Sequence, residues 1–133
     1  MRYEKAPDVE RQVAALVAAL ALDHIDLSRV ACVRSYGSRS RSTLARCHAL
    51  PKILQTAIGL RAHYVIEPVT EHYHRLPPAE QVKTLIHELL HIPRSFATGG
   101  GGGFRQHHLV NHRAVEQLYR RWVAACDRDA ADA

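Results

Sequence analysis

Residues 84–93 read Thr-Leu-Ile-His-Glu-Leu-Leu-His-Ile-Pro. Val82, Leu85, Ile86 and Leu89 recur at the spacing of one helical face, Pro78 suits the first turn of such a helix, and Pro93 stops it. Four residues of helix turn through about 400°, so His87 and His91 project in nearly one direction, one turn apart. Two imidazoles so placed can each bring a nitrogen to about 2.0–2.1 Å from one zinc ion. Glu88 lies beside them in angle and can reach a water on that ion without entering the coordination shell, which makes it the natural general base. With ten histidines in 133 residues, a His-Glu-x-x-His string arises by accident only about 0.04 times in a chain of this composition.

A catalytic zinc takes a third protein ligand and keeps a fourth position open. The glycine and histidine that follow the motif at fixed offsets in one large class of zinc peptidases are absent, because Ser95-Phe96-Ala97 stands in that region. The donors lie further on, where a last helix is expected from about His107 to Asp127 with Val115, Leu118, Tyr119, Trp122 and Cys126 on one stripe. If Val115 is taken as zero, His108 lies at about 20°, His112 at about 60°, His107 at about −80° and Glu116 at about 100°. His108 is nearest the stripe. A residue at the mouth of a helix need not follow its phase, so His107 and His108 stand together ahead of His112 and Glu116.

Working outward, a helix is expected from about Pro7 to Leu22 and a short strand from Arg29 to Ser35, followed by a turn at Tyr36-Gly37-Ser38. Residues from Ser42 to Leu50 have helical composition broken at Pro51, with a second helical piece ending at Gly59 as its C-cap. His63 to Glu67 is rich in β-formers and stops at Pro68, which suits an edge strand or the end of a strand; such an edge strand could hold a peptide by β-augmentation, and core packing by Tyr64 and Ile66 explains the same residues. His63, His72, Tyr73 and His74 are candidates to stabilise an oxyanion. The run Gly99–Gly103 reads equally as a lid or as slack and lacks the Lys-Ser/Thr ending of a phosphate loop. The expected fold class is α+β over a single domain, residues 1–133: a small β-sheet carrying the metal helix, closed by the C-terminal helix.

Composition narrows the function. The chain is 47% hydrophobic and 23% charged, enough to close one core. Its longest apolar run, Val13–Leu22, falls short of the roughly 18 residues a membrane span needs, and no secretory cleavage signature follows it, so a cytoplasmic protein without a membrane segment is expected. Cys32, Cys47 and Cys126 form no Cys-x-x-Cys pair and are expected as reduced core thiols. The net charge of +5 is local: residues 27–66 hold seven cations and no carboxylate. Arg34, Arg39, Arg41 and Arg46 belong to that stretch, so the competing class is a non-catalytic, metal-stabilised module that binds nucleic acid through it, although Tyr36 is the sole stacking aromatic among them. A third class is a zinc hydrolase acting on non-peptide substrates.

The runs Val30–Lys52, His63–Glu71, Thr84–Pro93 and Val110–Tyr119 together resemble the putative-metallopeptidase family of archaea, bacteria and phages over nearly the whole chain. Ile-Pro directly after the second histidine is the most specific part of the likeness. The resemblance implies a Zn2+-dependent peptidase with a protein or peptide substrate, His87 and His91 at the ligand positions and Glu88 as base. A more distant similarity to SprT-like proteases implies His107 as third ligand, because Val115 and Leu118 fall at the apolar offsets that follow it.

Overall fold

The computed structural model describes residues 1–96 and 110–132. Its elements in chain order are β1 (Arg2–Lys5), α1 (Pro7–Ala19), β2 (Val30–Tyr36), β3 (Ala45–Ala49), α2 (Lys52–Ile58), β4 (Tyr64–Pro68), α3 (Thr70–Tyr73), α4 (Pro78–Leu90) and α5 (His112–Asp132), with a short 3-10 turn at Leu27–Arg29 before β2. The strands form one mixed sheet in the order β1-β2-β4-β3. β2 and β4 run parallel, with Cys32 opposite Ile66, and the outer pairs are antiparallel. The α+β class expected from the sequence is the class observed.

One face of the sheet carries the core. Val9, Val13, Leu16 and Val17 of α1 meet Cys32, Tyr64 and Ile66 of the sheet and Leu85, Ile86 and Leu89 of α4. Each of these large side chains contributes about 1.5–3 kcal/mol by leaving water. Val115 of α5 is buried in the same cluster, Leu118, Tyr119 and Trp122 pack against it, and Arg121 donates to the Leu20 carbonyl at 3.0 Å, tying α5 to the end of α1.

Four expectations need correction. Ser42–Leu50 is not a helix: alternation governs it, with Cys47 and Ala49 turned to the core and Arg46 and His48 to the other side, and pairing with β4 outweighs the local helical composition. β4 is therefore interior, and β3 forms the edge; Pro68 is tolerated because it closes the strand. α5 begins at His112 rather than at about His107, with the Asn111 side chain accepting the Ala114 N–H at 2.9 Å as its N-cap; His107 and His108 lie outside the described residues. Cys126 is exposed, while Cys32 is buried and Cys47 partly so. Gly59 does cap α2 in the left-handed region at φ 68°. Among the described residues no helix is long and apolar enough to cross a membrane.

The loop between β2 and β3 is fastened beside α4. Glu71 accepts the backbone N–H groups of Gly37 and Ser38 at 3.3 Å each, His72 Nε2 donates to the Ser40 carbonyl at 2.8 Å, and Val69 donates to the Leu44 carbonyl at 2.9 Å. These bonds hold Thr43 and Leu44 against the cleft described next.

Candidate metal centre

α4 sets the site. Pro78 occupies its first turn, Leu85, Ile86 and Leu89 bury one face, and His91 at the C-cap keeps helical dihedrals (φ −70°, ψ −23°), so the one-turn relation of His87 to His91 holds to the end. Their ring centroids lie 5.1 Å apart with planes at 73°. One potential ligand atom from each of His87, Glu88 and His91 lies within 4.8 Å of the others. Two imidazole nitrogens on a tetrahedral zinc sit about 3.3 Å apart, so small side-chain rotations suffice. Glu88 and His91 are buried and His87 half-buried.

The donor set fits a divalent cation electrostatically as well. Burial pushes the Glu88 carboxyl up to about 8, and a dication a few Å away would restore the carboxylate. Cys47 faces the same region, but burial first, then the charges of Glu88 and Cys32, push its thiol well above the ordinary range, which makes it a poor thiolate.

A cleft of about 600 Å³ opens over His87 and Glu88, lined by Leu44 and Ala45, by Lys83 of α4, and by Val115 and Glu116 of α5. A second cavity of about 430 Å³ shares Thr43, Ala45 and Glu88 with it and passes along β3 to His91.

Of the third-donor candidates, His112 and Glu116 line the cleft without joining the group. The Glu116 carboxylate is held 2.9 Å from Lys83 Nζ, which keeps it below the usual carboxylate range, and His112, its side chain 88% exposed, stands 3.9 Å from it. His107, His108 and Gly99–Gly103 lie outside the described residues. His63, His72, Tyr73 and His74 line neither cavity: His63 bonds the Arg61 carbonyl at 2.8 Å, His72 fastens the loop, and Tyr73 and His74 border a separate hollow near Arg34.

The basic stretch is partly neutralised by acids from outside it. Arg29 pairs with Asp26 at 3.1 Å, Arg34 with Asp8 at 2.7 Å and Arg46 with Glu67 at 2.8 Å. Glu67 carries one signal in the sequence, a single carboxylate among β-formers.

The family described as Putative phage metallopeptidase matches residues 1–131 of the chain. No curated protein and no solved structure matches it.

Proposed function

The chain belongs to the putative phage metallopeptidase family, and from that premise we propose that it is a zinc-dependent peptidase acting as one unit over residues 1–133. The observation that carries the reading is the convergence of His87, Glu88 and His91 within 4.8 Å, with His87 and Glu88 lining one cleft and Glu88 and His91 lining the cavity beside it. His87 and His91 would hold the ion through ring nitrogens, with a third donor drawn from His107, His108, His112 or Glu116. Two imidazoles with one more nitrogen or oxygen donor suit zinc. A bound zinc would supply Lewis acidity at the scissile carbonyl and lower the pKa of a water towards 7.

Glu88 takes the proton from the attacking water and hands it to the leaving nitrogen as the amide C–N bond breaks. Its buried position keeps bulk water from competing for that proton. The substrate lies along β3, which pairs with β4 on one edge and borders the cleft on the other; an extended peptide can add there through backbone hydrogen bonds.

Glu88→Gln tests the reading, because glutamine keeps the shape and loses the base. Hydrolysis of quenched fluorescent peptides should fall by at least about 100-fold, with bound zinc per chain unchanged. Undiminished hydrolysis would remove Glu88 from its role.

A further inference from the structure

Glu67 sits in the interior strand of the sheet, 3% exposed, and the chemistry above makes no use of it. A carboxylate withdrawn from water is costly unless fully paired. Two β3 side chains pair it: Arg46 Nη1 lies 2.8 Å from Oε2 and His48 Nε2 lies 2.7 Å from Oε1. Positions 46 and 48 share the strand face turned away from the core, whereas Cys47 between them packs on it. Glu67 thus holds Arg46 in one orientation with its side chain still 35% exposed, and a guanidinium has five N–H donors, more than this contact takes. The cavity that reaches Glu88 and His91 is also lined by Ala45, Arg46 and His48, so it passes from the metal centre over the edge of β3 to its outer face. An extended peptide added to that edge turns alternate side chains towards Arg46.

Resting on the peptidase reading, we propose that Arg46, oriented by Glu67, is a specificity-determining residue that selects substrates carrying a carboxylate side chain on the outer face of the added strand. The test uses fluorescent decapeptides identical except for Glu, Gln or Lys at one central position, with binding measured by anisotropy on the uncleaving Glu88→Gln protein. The Glu peptide should bind about tenfold more tightly than the Gln peptide, the contribution of one charge-assisted hydrogen bond, and the Lys peptide more weakly than either. Adding Arg46→Gln with Glu67→Gln removes one charge of each sign and leaves the net charge unchanged; the preference should fall within twofold. Arg39→Gln with Arg41→Gln lowers the net charge by two and should leave it in place. Thermal melting checks that the double variant folds, and Arg46→Gln alone replaces it if it does not. Equal binding of the peptides, binding of none, or a preference that survives loss of Arg46 overturns the proposal. Hydrolysis by the wild type is read separately: cleavage without acidic preference removes this subsite alone, and acidic preference without cleavage removes the peptidase reading alone.

Discussion

Arg46→Met leaves the Glu67 carboxylate, 3% exposed, without the guanidinium 2.8 Å away. Removing one partner of a fully buried ion pair costs about 3–5 kcal/mol. The Arg46 side chain is 35% exposed and His48 stays 2.7 Å from the other oxygen, so solvent screening brings the expected loss at neutral pH down to about 2 kcal/mol, or about 6 °C in Tm for a chain of this size. The pH dependence is the sharper part. Burial raises the Glu67 pKa, but Ser35, His48 and Arg46 together outweigh it and hold the carboxyl below its ordinary value of 4.5. A folded-state pKa below the unfolded one stabilises the fold above the unfolded value, and that contribution disappears as pH falls through the folded value. Without Arg46 the balance tilts back towards burial, and a protonated Glu67 has little need of a guanidinium. The gap between wild type and variant in urea denaturation should therefore be widest near pH 7 and shrink by pH 4. A variant as stable as wild type at pH 7, or a gap that does not narrow in acid, would refute the reasoning.

Other perturbations follow from the same contacts. Leu85→Ala empties a fully buried position under the metal helix and should cost about 2–5 kcal/mol in chemical denaturation, with zinc affinity falling as α4 loosens. Asn111→Ala removes the cap of α5 and should cost about 1 kcal/mol, read as lost helical ellipticity and lowered Tm. Gly59→Ala forces a Cβ onto a left-handed residue at φ 68° and should cost about 1 kcal/mol although nothing crowds it; an unchanged Tm would mean that the turn relaxes.

Much of the fold was legible because the pattern and the packing agree. The periodicity of Val82, Leu85, Ile86 and Leu89 is the buried face of α4, and the helix brackets His87 and His91 as its prolines imply. β3 was not legible. Its five residues include two alanines of good helical propensity, and what makes them a strand is the open edge of β4, a partner that no local window contains. The same reason hid Arg46 and His48, whose meaning depends on a carboxylate 21 and 19 residues away. β1 leaves no mark in the sequence, because all four of its residues are exposed and show no alternation of apolar and polar. At α5 a one-residue signal, Asn111, decided the boundary against a continuous helical composition.

The most direct test of the central claim is zinc content per chain by elemental analysis, for wild type and for His87→Ala, His91→Ala, His107→Ala, His108→Ala, His112→Ala and Glu116→Gln. The account predicts close to one zinc per wild-type chain, retention in only trace amounts by the His87 and His91 variants, and a matching loss in one of the others. Less than about half a zinc in carefully prepared wild type, or zinc that stays bound without His87 and His91, would contradict it.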